Sequence, residues 1–228
     1  FMTGLPGNRG GMMWESPTVR LELSSKSECI SLVRGMLSGI AEALGFEAEL
    51  LDDLKTAVSE ACNNVVLHAY EEGPGPLLVT LVVDAGSIEV TVRDWGRGIH
   101  QVMPSEDRLH VGIALISALA DRSEFVSAAE GGAEVRMEFH RPSGPMPVVD
   151  GAGEGPEESS ALEEWRSQLL GDVVVTLSPV TLLSGVLGRL TRALAAGSRF
   201  TLDRFSDVYL VTDALAAHAE GAARSPRI

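Results

Sequence analysis

The sequence has few cysteines, no long apolar segment and no excess of basic residues, and each lack excludes a class of protein. Its two cysteines, Cys29 and Cys62, lie within apolar helical patterns. We therefore expect reduced core residues rather than a disulfide or a metal site. The sequence shows no signal peptide and no apolar run of about 18 residues or more. We expect neither secretion nor membrane spanning, and we predict a cytoplasmic location.

The balance of charge narrows the choice of partners. The formal net charge is -14, from 32 acidic and 18 basic residues. Non-specific binding to nucleic acids or anionic membranes requires a basic surface, so we expect no direct nucleic-acid partner and no membrane partner. A basic partner protein is compatible with this charge. The 228 residues allow one sizeable core and a smaller second module.

Apolar periodicity and turn residues predict the order β-α-α-β-β-α-β-β for the first part of the chain. The predicted elements are a strand at 19–23, helices at 30–44 and 49–70, a hairpin at 77–93, a helix at 111–120 opened by Gly112, and a hairpin at 123–140. This order predicts an α+β domain with an antiparallel or mixed sheet and helices on one face.

Composition divides the chain into four parts. Residues 1–18 include a Gly- and Met-rich tail, and residues 19–140 form the predicted domain. Residues 141–160 are rich in Pro, Gly, Ser and Glu, as is typical of a linker. Residues 161–228 form a further segment that opens with a possible short helix at 161–171.

This last segment resembles the beginning of the domain. The run GDVVVTLS at 171–178 is similar to the first strand and its cap, and an offset of 154 residues aligns the apolar stripes of two helices. The aligned positions are Val186, Leu187, Leu190 and Leu194 with Leu32, Val33, Met36 and Ile40, then Phe200 with Phe46. With a one-residue slip, VTDA at 211–214 aligns with VSEA at 58–61. The segment is thus interpreted as a partial β-α-α repeat, against the alternative of chance similarity between two amphipathic helix pairs.

One helix carries a stripe of polar side chains. Glu60, Asn64 and His68 recur at steps of four in LKTAVSEACNNVVLHAY, residues 54–70. This spacing places them one above another on one face of the helix. A carboxylate, a carboxamide and an imidazole so arranged could hold a metal-bound polyphosphate or move a proton. The alternative is a polar stripe that faces solvent.

Two glycine-containing segments follow this helix. DWGRGI at 94–99 places Asp94 before Gly96 and Gly98, and HVGIALISALAD begins near Gly112. Glycine lets a backbone approach a ligand closely, and an aspartate held there can accept a hydrogen bond from an exocyclic amine such as that of adenine. Each motif alone also describes ordinary turns, so the interpretation depends on their order.

In this order the motifs resemble those of the histidine-kinase-like (GHKL) ATPase superfamily. VSEACNNVVLHAY is similar to its N box, DWGRGI to its first glycine box and HVGIALISALAD to its second. The pattern S-E-A-x-x-N-x-x-x-H-A-Y and a short lid at 100–111 most resemble the anti-sigma-factor serine kinases. The resemblance covers about residues 19–140. It implies a two-layer α/β sandwich of the Bergerat type with a mostly antiparallel sheet.

The resemblance also implies roles for particular residues. ATP and Mg²⁺ would be the cofactors, and a sigma factor and an anti-sigma-factor antagonist would be the protein partners. Glu60 would be the general base toward the acceptor serine, and Asn64 would coordinate the magnesium that bridges the phosphates. Asp94 would bind the adenine amine. The remaining implied contacts are Gly96 and Gly98 in the pocket wall, Arg108 in the lid near the phosphates, and Gly112 at a phosphate.

Three positions need separate treatment. His68 is expected to pack or to form a hydrogen bond at the helix end rather than to take part in chemistry. His110 stands where the family usually has a small residue. Ala133 and Glu134 replace a Gly-Thr step whose hydroxyl would support the adenine-binding aspartate, at a cost of about 0.5–1.5 kcal/mol for one lost hydrogen bond.

Two hypotheses about function follow. The first is an ATP- and magnesium-dependent protein-serine kinase that also binds a sigma factor. The second is a catalytically silent, nucleotide-gated binding protein of the same fold. A histidine-kinase catalytic domain is disfavoured because no upstream helix with a phosphoacceptor histidine is seen. For residues 161–228, we expect either packing against the first module as a partner subunit would, or docking of a partner protein through VLGRLTRALAA. The chain would then be a dimer or an intramolecular pseudo-dimer.

Overall fold

The computed structural model of this chain describes residues 16–98, 107–128, 131–142, 173–197 and 202–224. Its described strands form a single sheet in which every neighbouring pair is antiparallel. The strands are β1 (Thr18–Ser24), β2 (Pro76–Val83), β3 (Ser87–Asp94), β4 (Arg122–Ser127), β5 (Ala133–His140) and β6 (Val173–Ser178). Their order across the sheet is β4-β5-β3-β2-β1-β6. The predicted α+β class is confirmed.

Five α-helices accompany the sheet in the described part of the chain. They are α1 (Cys29–Leu44), α2 (Ala48–Asn64), α3 (Asp107–Leu119), α4 (Leu183–Gly197) and α5 (Leu202–Arg224). A π-helical turn (Val65–Ala69) continues α2, and a short 3₁₀ turn (Val180–Leu182) precedes α4. Over the described residues, no helix combines the length and apolar character that a membrane crossing requires.

The core lies between one face of the sheet and the first two helices. Alternate residues of β1, β2 and β3 are buried, as for Leu21, Leu81 and Val90. Met36 of α1 and Val58 of α2 join them in one apolar cluster. This alternation follows from strand geometry, which sends successive side chains to opposite faces. The helices therefore cover one face of the sheet, as predicted.

Element boundaries follow the sequence signals in most places. Helix α1 ends at Gly45, which has φ +67°, a backbone conformation that glycine adopts without steric cost. The predicted helix at 49–70 is α2 plus its π turn. The predicted helix at 111–120 was placed too late, because α3 begins at Asp107. Gly112 therefore lies inside a helix rather than at its start.

The C-terminal segment contributes to the same sheet. Strand β6 pairs with the outer edge of β1, and α4 packs against α1. The two helices come so close that a Cβ built on Gly39 would lie 2.5 Å from the carbonyl oxygen of Gly185. The short helix predicted at 161–171 and the linker beyond residue 142 lie outside the described residues.

Both cysteines are free and buried, as predicted. Burial raises the pKa of the Cys29 thiol to about 11, and burial raises the pKa of Cys62 as well. Since the thiolate is the reactive form, these are packing residues rather than reactive ones.

Candidate functional site

A cleft opens between the end of α2, the helix α3 and the strands β3, β4 and β5. The empty space between these elements is about 550 Å³, a figure that includes space open to solvent. Its lining is mostly apolar with a few polar groups: Ala61, Asn64, Val65, His68, Ala69, Val92, Asp94, Gly98, Ile113, Phe125, Ala133 and Val135. Asn64 of the predicted N box thus shares one cleft with Asp94 and Gly98 of the predicted first glycine box.

Asn64 reaches the cleft from the last residue of α2. It is partly buried and lies one turn beyond Glu60 along the helix. Directly after Asn64 the backbone changes to the π-helical turn of 65–69. Such turns are rare and occur frequently at functional sites. The turn brings the next polar residue, His68, to the same cleft.

Asp94 lines the cleft from the end of β3. It is 3% exposed, and its Oδ1 accepts hydrogen bonds from the backbone N–H groups of Gly96 at 2.8 Å and Ala133 at 3.3 Å. Burial raises the pKa of this carboxyl group, and the two N–H donors oppose that shift. Both bonds use one oxygen, so Oδ2 remains as the acceptor for a ligand donor.

The Ala-Glu step at 133–134 has an unexpected consequence for Asp94. The backbone of Ala133 provides a hydrogen bond to Asp94 although its side chain has no hydroxyl group. The next side chain, Glu134, forms ion pairs with Arg136 at 2.6 Å and Arg93 at 4.0 Å. It follows Ala133 on a strand and so points to the other face of the sheet.

The glycines of DWGRGI permit a close approach of backbones. A Cβ built on Gly96 would lie 2.0 Å from the carbonyl oxygen of Ala69, at the end of the π turn. Gly98 has φ +75°, a conformation that side chains rarely adopt. The N–H of Arg97, between them, donates to the same Ala69 oxygen at 2.9 Å. Glycine at 96 is therefore what lets this loop contact the helix end.

Gly96→Ala is expected to lower the free energy of unfolding by about 1–3 kcal/mol, since the new methyl group would overlap backbone atoms that cannot rotate away. Urea denaturation measures the effect. Gly86→Ala is the matched control, because a Cβ at Gly86 would meet nothing within 4 Å. Equal stabilities for the two variants would show that the loop does not depend on this contact.

Two further contacts hold the glycine loop to the helix end. The hydroxyl of Tyr70 accepts a hydrogen bond from the N–H of Trp95 at 2.9 Å and donates to the carbonyl of Pro76 at 2.5 Å. The Arg97 guanidinium donates to Glu71 at 2.8 Å and to the carbonyl of His68 at 2.9 Å. The last residues of the predicted N box thus position the segment that follows Asp94.

Glu60 is partly buried but does not line the cleft. Its carboxylate lies against α3, where a Cβ built on Gly112 would be 2.3 Å from Oε1. This close approach of α2 and α3 explains the glycine at 112 better than a helix start does. Glu60 is thus on the same helical face as Asn64, one turn away from the cleft.

The structure describes the side chain of His68 but only the backbone of Arg108 and His110. His68 lines the cleft and also has an interaction partner. The backbone of Arg108 and His110 belongs to α3, but their side chains lie outside the described residues, as do residues 99–106 of the predicted lid.

Sequence reasoning missed two side chains near Asp94. Phe125 of β4 provides the aromatic surface of the cleft. The hydroxyl of Ser127 is buried and has no hydrogen-bond partner among the described residues, and it lies 3.9 Å from a Cβ built on Gly98. The alternation along β4 would have marked Phe125 and Ser127 as facing the same side.

The cleft can be tested for its fit to a magnesium-bound nucleotide. Asn64 offers an amide oxygen, a ligand type that suits Mg²⁺, and magnesium at phosphate sites commonly has only one or two protein ligands. Across the described ranges, no three His, Cys, Asp or Glu side chains cluster as a metal site. The apolar walls and the single buried carboxylate fit a base with an exocyclic amine. The donor set therefore fits the nucleotide with its metal.

Comparison with known proteins gives relatives that include serine-protein kinases. The chain is 32% identical over 85 residues to the serine-protein kinases RsbW of Bacillus thuringiensis (strain Al Hakam) and Bacillus mycoides (strain KBAB4), a match over 37% of this chain and 53% of each relative. The chain therefore spans about half the length of these relatives. A crystal structure of the RsbU and RsbW domains of Rv1364c from Mycobacterium tuberculosis matches with a TM-score of 0.46 and 21% identity, over 57% of this chain and 34% of that one.

The model of the histidine kinase-like ATPase domain matches residues 23–139, about half of the chain. This range begins in β1, ends in β5 and includes every described wall of the cleft. By this match the chain belongs to the histidine kinase-like ATPase family.

Proposed function

We propose that this chain is an ATP- and magnesium-dependent protein-serine kinase of the anti-sigma-factor type. It binds a sigma factor and phosphorylates a serine of an anti-sigma-factor antagonist. The observation that carries the proposal is the placing of Asn64 and Asp94 in one apolar cleft. The 32% identity to serine-protein kinases supports the reaction class.

The nucleotide would be held from its two ends. Asp94 Oδ2 would accept a hydrogen bond from the adenine amine, with Gly96 and Gly98 shaping the wall. The triphosphate would extend toward Asn64 and α3, with Arg108 and Gly112 near the phosphates. Magnesium, when bound, would neutralise phosphate charge and would be oriented by the Asn64 oxygen.

The transfer itself requires mainly positioning and charge neutralisation. The hydroxyl oxygen of the acceptor serine forms a bond to the γ-phosphorus, and the bond from that phosphorus to the bridging oxygen of ADP breaks. Glu60 accepts the hydroxyl proton as general base. It lies one helical turn before Asn64, on the same face of α2.

A second function is favoured by one observation. The Glu60 carboxylate lies against the backbone of Gly112 rather than in the cleft. A base held there would not reach an acceptor hydroxyl, and the protein would then be a nucleotide-gated binding protein without transfer activity. The two functions share the nucleotide site and differ in the role of Glu60.

Calorimetric titration with ATP tests the shared site. We expect magnesium to raise the affinity of wild type for ATP and to have little effect on Asn64→Ala. The matched control is Asn63→Ala, which removes the neighbouring carboxamide that does not line the cleft and should behave like wild type. Absence of ATP binding to wild type would contradict both functions. Transfer of γ-phosphate to a serine of a cognate antagonist would then distinguish the kinase from the silent protein.

A further inference from the structure

Strand β6 and helix α4 cover an edge and a face of the N-terminal domain. Without β6, the outer side of β1 would be an unpaired strand edge, which readily pairs with another chain. Without α4, the face of α1 around Gly35 and Gly39 would be open. Particular residues of β6 and α4 face particular residues of β1 and α1.

The strand pair is arranged about a two-fold centre. Leu21 of β1 lies opposite Val175 of β6, 154 residues further along the chain. This separation is the offset at which the C-terminal segment resembles the N-terminal one. Leu21 and Val175 are therefore equivalent residues of the two units, and equivalent residues face each other directly only on a two-fold axis. On either side, Val19 pairs with Leu177 and Leu23 with Val173.

The helix pair shows the same relation independently of the strand pair. A Cβ built on Gly35 of α1 would lie 3.4 Å from the carbonyl oxygen of Arg189 of α4. These two residues are also 154 positions apart, so they too are equivalent and face each other. One local two-fold axis thus relates β1 to β6 and α1 to α4. This is the geometry of an isologous dimer interface.

We propose that β6 and α4 occupy, within one chain, the surface through which two copies of the N-terminal domain would otherwise pair about a two-fold axis. The occupant that they exclude is a second copy of β1 and α1. The full chain is thereby kept from self-association through this face. The proposal does not depend on nucleotide binding.

Departures from symmetry favour the intramolecular pairing. The residue of α4 that meets Gly39 is Gly185, whereas the equivalent residue of α1 is Ser31. A Cβ on Gly185 would lie 2.9 Å from the Gly39 oxygen, so two α1 helices could not approach as closely.

An ion pair also favours pairing within one chain over pairing between two chains. Arg189 of α4 forms an ion pair with Glu42 of α1, and this pair lowers the pKa of Glu42 through the hydrogen bond and the charge of Arg189. The position equivalent to Arg189 in α1 is Gly35, so a pair of N-terminal domains would lack the ion pair. Covalent connection adds a high effective concentration to these preferences.

The burial of apolar residues also differs between α4 and α1. Val186 and Leu190 are buried, as are their equivalents in α1, Leu32 and Met36. Leu194 is 47% exposed, whereas its equivalent Ile40 is fully buried. The α1 stripe packs on β1, β2 and β3, whereas the described residues of the C-terminal unit contribute the single strand β6. The C-terminal unit thus keeps the side that covers α1 and leaves part of the sheet-facing side uncovered.

Light scattering of the full chain tests the proposal. Wild type should have the mass of one chain, 24.2 kDa. Gly185→Leu with Val175→Asp should detach the cap, because leucine overlaps the Gly39 backbone and aspartate faces the buried Leu21. The expected result is a discrete, concentration-dependent doubling of mass. Hydrogen exchange should quicken in residues 173–178 and stay slow in β2 and β3.

Gly221→Leu is the matched control, because a Cβ there would meet nothing within 4 Å; it should keep the mass of one chain. A double variant with fast-exchanging β6 and the mass of one chain overturns the proposal. So does a double variant in which β6 stays protected, since the contacts that define the axis would then not hold the cap. A wild-type mass of two chains that the variant leaves unchanged, or a polydisperse aggregate, also overturns it.

Discussion

Glu60→Gln is expected to slow phosphoryl transfer to a protein serine by about 10²–10⁴-fold, the contribution typical of a general base. Affinity for ATP should change by no more than about twofold, since Glu60 does not line the cleft. A loss of kcat without a loss of binding marks a transition-state role. Glutamine has nearly the shape of glutamate and fits against Gly112. Single-turnover transfer of labelled γ-phosphate, with calorimetry of ATP binding, measures the two quantities.

The control is Glu49→Gln, which changes an exposed carboxylate in the first turn of the same helix. It should transfer phosphate at the wild-type rate. Equal transfer by Glu60→Gln and wild type would exclude Glu60 as the base. If wild type binds ATP but transfers nothing, and Glu60→Gln regulates its partner normally, the chain is the silent nucleotide-gated protein.

Asp94→Asn should weaken ATP binding by roughly 10–150-fold, corresponding to about 1.5–3 kcal/mol for a hydrogen bond to a charged group. The reason is the fixed orientation of the side chain. The N–H groups of Gly96 and Ala133 require an oxygen at the Oδ1 position, so the amide NH₂ of asparagine must take the place of Oδ2. A donor would then face the adenine amine, which is also a donor.

The same substitution should leave stability at pH 7 unchanged or slightly higher. Burial raises the pKa of Asp94 in the folded protein, so the folded state holds this proton more tightly than the unfolded state does. The contribution of Asp94 to stability is thus fully present below its unfolded pKa and is lost as pH rises through the raised pKa. Asparagine has no charge to desolvate and removes this dependence.

Calorimetry and thermal unfolding between about pH 4 and pH 8 test both effects. As pH falls toward the raised pKa, wild type should lose ATP affinity relative to Asp94→Asn, because only wild type loses a charged acceptor. The phosphates of ATP titrate equally in both titrations, so the difference isolates Asp94. Asp52→Asn, at an exposed position of α2, should match wild type. If Asp94→Asn kept full affinity for ATP, the adenine ring would have to bind somewhere other than at Asp94.

The fold was largely predictable because its signals are local. The end of α1 required a residue that tolerates positive φ, and Gly45 provides it. The two hairpins carry strand-forming residues on either side of short turns. The start of α3 was predicted wrongly because Gly112 was interpreted by its own conformational freedom. Its actual constraint is Glu60, which is 52 residues away in sequence and invisible to a local pattern.

Sequence motifs indicated some of the side chains that line the cleft, but not the backbone that positions them. Asn64 and Asp94 were identified from motifs, and the structure brings both to the cleft. The N–H of Ala133 that holds Asp94 has no side-chain signature, since any residue but proline could donate there. The π turn after Asn64 and the buried hydroxyl of Ser127, which has no hydrogen-bond partner in the described part of the chain, likewise arise from how the elements meet. Such features depend on tertiary contacts that periodicity does not encode.

The position of β6 in the chain has a consequence for synthesis. Strand β1 is made before the other described strands, whereas the cover of its edge is complete only at Gly197, 57 residues after the end of β5 at His140. At about 5–20 residues per second, the ribosome needs roughly 3–11 s to make those residues. During that interval a domain that folds as it emerges presents a bare edge beside other nascent chains on the same messenger RNA. The rate of translation through residues 141–197 thus sets a time window. In it, the β1 edges of two chains can pair before β6 and α4 of the same chain cover them.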